Sequence, residues 1–343
     1  MSADTVAPPA PALTRKDFIS DQMVRWCPGC GDYSILAQVQ KTFPDFNLPK
    51  EKFVFVSGIG CSSRFPYYMD TYGFHTIHGR GTAVATGVKL ANPDLSVWVV
   101  TGDGDSMSIG GNHFIHLLRR NLDINLMMFN NRIYGLTKGQ YSPTSEKGKV
   151  TKSSPFGSLD HAFNPPALAL GAASTFIARS LDVDAKHLQT MIKAAYDHVG
   201  TSFLEIYQNC HIFNDNAFDD YSDKETKGIR QLLLEDGQPM VFGPERNLGI
   251  RFDGHRPQVV DLTNGKWSLD DLAVHDKTDK LLALMLCDLT YQPEFPTPFG
   301  VIYQVEKVSY ETQVYQQIDD AISKLGAGDL KKLLKSGHTW TVD

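Results

Sequence analysis

Apolar residues along the chain fall into short runs, FVFVSGIG, VWVVTGDG, INLMMFNN, TFIARS and SFLEIYQ, several of which close on Gly, Asp or Asn. Such runs predict buried strands. Between them the period changes to that of a helix. In GGNHFIHLLRRN, Phe114, Leu117 and Leu118 share one face, and DVDAKHLQTMIKAAYDHVG starts at a capping Asp184 and stops at Gly200. DYSILAQVQKTF, with Ile35, Leu36 and Val39 at helical spacing, predicts a further helix ahead of the first strand. The alternation predicts an α/β fold on a doubly wound, mostly parallel sheet.

The pattern also divides the chain. An Ala/Pro-rich start predicts a flexible N-terminal arm over 1–20, followed by one α/β domain over 21–210. Past Cys210 the texture turns polar in NDNAFDDYSDKETKG and ends in the helical patterns ETQVYQQIDDAISKL and DLKKLLK, which predicts a smaller C-terminal extension over 211–343. With 42% hydrophobic and 21% charged residues the composition is that of a folded globular protein. A net charge of −6 without a basic run argues against a nucleic-acid partner, and none is expected. The start lacks the charged and apolar regions of a secretory signal, and no uncharged apolar run approaches the ~18 residues of a membrane span, so no membrane association and a cytoplasmic location are expected. In that reducing compartment the five cysteines read as core residues, metal ligands or redox groups.

Candidate chemistry enters at two strand ends. Ligands of open α/β sheets sit beyond the carboxyl ends of the strands, where this chain places Gly102-Asp103-Gly104-Asp105 and Asn130-Asn131. The 25 residues between Gly104 and Asn130 suffice for one helix and the next strand, so the two clusters become neighbours. Asp103 offers a carboxylate, Asn131 an amide oxygen and Ile133 a backbone carbonyl, which with diphosphate oxygens and a water satisfy the six oxygen sites of Mg²⁺. The glycines let the backbone approach a diphosphate, and a helix starting near Gly110 aims its free amides at the same place. No G-x-G-x-x-G follows a first strand, which disfavours a dinucleotide fold.

The cysteines are less decided. WCPGCGDYS places Cys27 and Cys30 around a Pro-Gly turn ahead of a helix, a spacing that serves zinc, an iron–sulfur cluster or a redox dithiol. Cys61, Cys210 and Cys287 would each, taken singly, read as buried thiols.

Several segments taken together carry a resemblance. GDG, the gap and NN resemble the thiamine diphosphate motif. WCPGCGD, SGIGCSSR, HTIHGRGTAVATGVKLANPD and NRIYGLTKGQYSPTS resemble the beta subunit of 2-oxoacid:ferredoxin oxidoreductases over residues 20 to 215. The resemblance implies a thiamine diphosphate-binding fold, with Mg²⁺ on Asp103, Asn131 and the Ile133 carbonyl, and with Gly102, Gly104 and Asp105 around the diphosphate. It implies Gly60, Cys61, Ser62, His78 and Gly79 on the other side of the cofactor, and one 4Fe-4S cluster on Cys27, Cys30, Cys61 and Cys210, leaving Cys287 in the core. The activity implied is oxidative decarboxylation of a 2-oxoacid to acyl-CoA and CO₂, with electrons leaving singly through the cluster to ferredoxin, and with carboxylation as the reverse. An alpha subunit would supply the pyrimidine-side domain, in an alpha2beta2 heterotetramer.

Residues facing the substrate are less defined. His78, Arg64, Lys138 and Leu136 are the candidates for the pocket, with His75 as a second histidine and the two cations set to pair with anions of substrate or coenzyme A. Pyruvate-specific relatives tend to carry Asn at the place of Leu136, and LTKGQYSPTS resembles the 2-oxoglutarate members, so 2-oxoglutarate is expected ahead of pyruvate or branched-chain 2-oxoacids. The competing reading is a thiamine enzyme without redox chemistry whose cysteines hold structural zinc; the residues after Cys210 are too few and wrongly patterned for the second thiamine-type domain it needs.

Overall fold

A computed structural model describes residues 13–342. Strands β1 (Phe53–Ser57), β2 (Tyr72–His75), β3 (Ser96–Gly102), β4 (Ile124–Asn130), β5 (Phe176–Leu181) and β6 (Ser202–Tyr207) run parallel. Short strands β7 (Gln231–Leu233), β8 (Val241–Phe242), β9 (Leu248–Asp253) and β10 (Arg256–Asp261) follow, then β11 (Thr297–Gln304). The main sheet has eight strands in the order β2-β1-β3-β4-β6-β5-β11-β7, with β11 antiparallel to β5, and β8 to β10 form a separate three-stranded sheet.

Alternation within the strands builds the layers. Val54, Val56, Val97, Val99, Leu126 and Met128 face one core, which holds Phe114, Leu117 and Leu118 of α4 (Gly111–Arg120). Phe53, Phe55, Trp98, Val100, Met127 and Phe129 face the other, with Ile35 and Val39 of α1 (Asp32–Thr42) and Leu188 and Ile192 of α6 (Ala185–Asp197). Each face of a parallel sheet is thus buried, as the side-chain period of two requires. Helices α2 (Gly81–Ala91), α3 (Asp103–Met107) and α5 (Pro165–Gly171) fill the crossovers; α5 carries Pro at its start, where no amide is needed. The α6 cap is the expected one: the Asp184 side chain accepts from the His187 amide at 3.1 Å.

Two boundaries differ from the sequence expectation. Residues 1–12 of the expected arm lie outside the described residues, but Phe18 is fully buried against Phe43 and Phe53, with ring centroids 5.8 Å away in each case. Phe18 therefore belongs to the folded core. Past Cys210, α7 (Lys227–Arg230) precedes β7, and α8 (Lys280–Leu289) packs Leu282, Leu286 and Cys287 into the first core. Because β7 and β11 complete the main sheet, the extension shares its core with the domain. The last helices, α9 (Tyr310–Leu325) and α10 (Leu330–Leu334), occupy the expected helical stretches. Among the described residues no helix is long and apolar enough to cross a membrane.

Among the described residues one ion pair lies wholly inside. Arg179 on β5 and Glu205 on β6 are register partners, joined at 2.7 Å, with side chains 0% and 1% exposed. Removing one member strands the other's charge, so Arg179→Met should cost about 3–5 kcal/mol in denaturant unfolding. The double change with Glu205→Leu should recover most of that loss. Equal stability of wild type and the single variant would show that the pair is not the buried unit described.

Candidate functional site

Because β1 pairs with β3 and β3 with β4, their carboxyl ends lie side by side. A cleft of ≈ 290 Å³ opens there. Its walls are Gly60, Cys61 and Ser62 after β1, Gly102 to Asp105 at the end of β3, Asn131, Ile133 and Leu136 after β4, and His78. Of the expected cofactor residues only Gly79 stands behind the wall, where its amide donates to Asp105 Oδ1 at 2.7 Å.

Asp105 holds this rim together. The same oxygen accepts from the Ile59 amide at 3.1 Å, and Oδ2 accepts from the Thr101 hydroxyl at 2.8 Å. Its carboxylate is therefore committed to joining the β1, His78 and β3 loops. Gly104 admits the ring of Tyr134, since a Cβ there would lie 2.1 Å from Cε1, and the Tyr134 hydroxyl donates to the Gly104 carbonyl at 3.2 Å. Gly60 holds φ at 134°, a conformation that favours glycine. The helix expected near Gly110 is α4, yet the Gly110 and Gly111 amides are taken by the Asp105 and Ser108 carbonyls at 3.1 and 3.0 Å. They are therefore not the free donors that the sequence led us to expect; the helix that begins at the cleft is α3, and its first residue is Asp103.

The donor set suits a hard cation and a diphosphate. Asp103 is 2% exposed, and its Oδ2 accepts from Ser142 at 2.5 Å and Thr144 at 2.6 Å. Burial pushes its carboxyl above the ordinary carboxylate range, and the two hydroxyls oppose that shift. Asn131 Oδ1 accepts from the Ile133 amide at 3.2 Å, while its Nδ2 donates to Gln208 at 3.0 Å. That turn passes through Arg132 in the left-handed region, at φ 54°. Ser62, at the cleft wall, has a buried hydroxyl with no partner, a donor ready for an anionic ligand.

A second cavity, of ≈ 200 Å³, is lined by all of Cys27, Cys30, Cys61 and Cys210. The Cys27-Pro-Gly-Cys30 stretch is a tight turn with Gly29 at φ 80°, closed by the Cys30 amide on the Cys27 carbonyl at 3.1 Å. Cys61 follows β1, and Cys210 follows β6, the neighbour of β4. The Trp26 indole donates to the Cys61 carbonyl at 2.7 Å. The Gly135 backbone borders two of the thiols: a Cβ there would make ordinary contact with the Cys210 and Cys61 sulfurs, at 3.4 and 3.6 Å. Burial raises the Cys30 and Cys210 thiols and pushes Cys61 up to about 12. Among the described residues no group of three or more His, Cys, Asp or Glu is placed to hold one metal ion. The thiols surround a space instead.

The two cavities share a wall made of Cys61, Asn131, Gly135 and Leu136. Arg64 and Lys138 line the cysteine cavity rather than the cleft. His75 lies on exposed β2 near Tyr67, with ring centroids 5.6 Å apart, and belongs to neither cavity. Cys287 sits apart on α8, fully buried. Sequence reasoning did not single out Ser142, Thr144 or Gln208, whose residue types signal turns and surfaces as often as sites. It also passed over Asp32, 1% exposed beside Cys30, whose carboxylate oxygens have no partner and whose pKa burial pushes up to about 7.

Comparison with known proteins agrees with this geometry. Residues 58–206 match the thiamine pyrophosphate enzyme, C-terminal TPP binding domain family. The chain is 50% identical to the 2-oxoglutarate oxidoreductase subunit KorB of Mycobacterium tuberculosis, over 96% of this chain and 88% of that one. It is 36% identical to the 2-oxoacid:ferredoxin oxidoreductase subunit beta of Saccharolobus solfataricus, over 89% and 90%. A solved structure, 2-oxoglutarate:ferredoxin oxidoreductase from Magnetococcus marinus with 2-oxoglutarate, coenzyme A and succinyl-CoA bound, superimposes with a TM-score of 0.76 at 30% identity, covering 97% of this chain and 98% of that one. A strand-end cleft inside the matched thiamine pyrophosphate segment, and relatives this similar along nearly the whole length, place the chain among the beta subunits of the 2-oxoacid:ferredoxin oxidoreductase family.

Proposed function

We propose that this chain is the thiamine diphosphate-binding beta subunit of a 2-oxoglutarate:ferredoxin oxidoreductase. With an alpha partner it turns 2-oxoglutarate and coenzyme A into succinyl-CoA, CO₂ and a proton, and two electrons leave one at a time for two ferredoxins. The observation that carries the reading is the shared wall: the strand-end cleft at Asp103 and Asn131 stands against a four-cysteine cavity.

Bound thiamine diphosphate supplies the electron sink for loss of CO₂ from a 2-oxoacid. In this chain Asp103, Asn131 and the Ile133 carbonyl would hold Mg²⁺, while Ser62 and the backbone at Gly60, Gly102 and Gly104 meet the diphosphate. Cys27, Cys30, Cys61 and Cys210 would hold a 4Fe-4S cluster, for which thiolates are the usual ligands. Sulfurs set around a space suit a polynuclear cluster better than a lone zinc ion. Leu136 touches both cavities and leaves the wall without the amide that a pyruvate-type pocket would present; the KorB relative supports 2-oxoglutarate as the substrate. Arg64 and Lys138 place positive charge at the cysteine cavity, where an anionic cluster gains from it. The assembly is an alpha2beta2 heterotetramer working in the cytoplasm.

Metal analysis tests the cluster assignment. Iron and acid-labile sulfide with broad visible absorption are the expected result, and colourless protein with stoichiometric zinc would end the redox reading. For the cleft, Asp103→Ala should weaken Mg²⁺-dependent thiamine diphosphate binding beyond the ~10- to 100-fold typical of outer-shell changes, with the visible spectrum kept. Calorimetric titration measures it, and unchanged affinity would remove the cation assignment.

A further inference from the structure

Behind the cleft lies a run of hydroxyls, Ser142, Thr144 and Ser145, each 2–3% exposed. Ser142 and Thr144 both reach Asp103 Oδ2, at 2.5 and 2.6 Å. Ser145 donates to the Arg132 carbonyl at 2.6 Å and accepts from the Ser142 amide at 2.8 Å. The segment therefore ties the Asp103 end of β3 to the Asn130–Ile133 turn after β4.

Thr144 is itself held in place. Its Oγ1 lies 3.0 Å from Asn130 Oδ1, and Asn130 Nδ2 donates to Glu205 at 2.8 Å, with Arg179 closing the chain at 2.7 Å. Glu205 accepts only, so it fixes which way the Asn130 amide points. Asn130 Oδ1, so oriented, also accepts from the Arg132 amide at 3.2 Å, which sets the left-handed turn ahead of Ile133. Thr144 has a single proton, and the shorter contact assigns it to Asp103. Among the described residues no side-chain donor reaches Asp103 Oδ1, and Asp103 lines the cleft.

We propose that Thr144 and Ser142 are positioning residues of the cation site. Their hydroxyls occupy Asp103 Oδ2, fix the carboxylate rotamer and leave Oδ1 as the oxygen presented to a divalent cation. Ser145 does the equivalent for the opposite loop, holding the Arg132 carbonyl so that the neighbouring Ile133 carbonyl keeps its place. This inference rests on the reading of the cleft as a cation-and-diphosphate site. An oxygen left free to rotate between two hydrogen-bonding partners would bind the same cation with a reorganisation cost.

The test uses Mn²⁺ in place of Mg²⁺, titrated into the full-length chain assembled with its partner subunit, stripped of metal and saturated with thiamine diphosphate. Free Mn²⁺ is read by electron paramagnetic resonance. Thr144→Val keeps the shape and removes the proton, and should raise the Mn²⁺ Kd about 10- to 100-fold. Thr144→Ser should return it to within a few-fold of wild type, and Ser142→Ala should act in the same direction as Thr144→Val. The thermal midpoint of the metal-free protein should differ little between Thr144→Val and Thr144→Ser, which separates positioning from simple structural support. Unchanged Mn²⁺ affinity in Thr144→Val and Ser142→Ala, alongside loss in Asp103→Ala, would overturn this inference alone. Wild-type affinity in Asp103→Ala would overturn the reading beneath it. If Thr144→Val does not fold, Ser142→Ala decides.

Discussion

Purified alone, the chain should carry its cluster yet reduce ferredoxin or a viologen dye with 2-oxoglutarate and coenzyme A at least ~100-fold more slowly than the assembled enzyme, the low end of what a missing general acid–base group costs. Thiamine activation needs a carboxylate on the aminopyrimidine ring so that the thiazolium carbon can lose its proton. Among the described residues that line the cleft there is no glutamate, and both cleft aspartates have carboxylates engaged by neighbouring loops. Ile77, Ile109 and Leu136 are 69%, 58% and 51% exposed around His78 and the cleft wall, an apolar rim suited to cover by another subunit. Adding the alpha partner should restore turnover. Full turnover by the isolated chain, verified free of other subunits, would contradict a shared site.

Legibility from sequence followed how local the physics was. The β3 and β4 ends could be read because a strand's apolar run stops where its polar cluster begins, and Asp103 and Asn131 are the ligand types a hard cation takes. Edge strand β2 escaped notice because all its residues are exposed, so no apolar run marks it. The C-terminal strands escaped for a different reason. β7 and β11 add to the far edge of the main sheet, and nothing within a three-residue strand announces a partner 60 or more residues away. The hydroxyl run at Ser142–Ser145 was visible as letters, but hydroxyl residues beside Pro read as turn chemistry; only the packing brings them onto Asp103. Asp105 lines the cleft, the side its place in GDGD suggested, and its bonds to Ile59, Gly79 and Thr101 also make it the fastener of the rim.

The cysteines are where packing adds most to spacing, and they carry the second large effect. Cys210 and Cys287 both follow apolar runs in the second half of the chain, yet the fold separates them. Cys210 lines the cavity with Cys27, Cys30 and Cys61, and its backbone carbonyl accepts from the Phe213 and Asn214 amides at 3.3 and 2.9 Å. Those carbonyl bonds survive loss of the sulfur, although the amides of Phe213, Ile212 and Asn214 also face the thiol, so Cys210→Ala should keep its loop and lose one ligand of four. Most of the iron and acid-labile sulfide should go, and what remains should bleach quickly in air, since an iron left with an open site exchanges and oxidises. Cys287 is packed on α8 among Leu282 and Leu286, with its thiol pushed up to about 12 by burial. Cys287→Ala should therefore behave as a small core truncation, costing about 1 kcal/mol and leaving iron, sulfide and the visible spectrum intact. Iron determination on the two purified variants separates the cases. Equal iron loss from both, or full iron retention in the Cys210 variant, would show that the fourth ligand lies elsewhere.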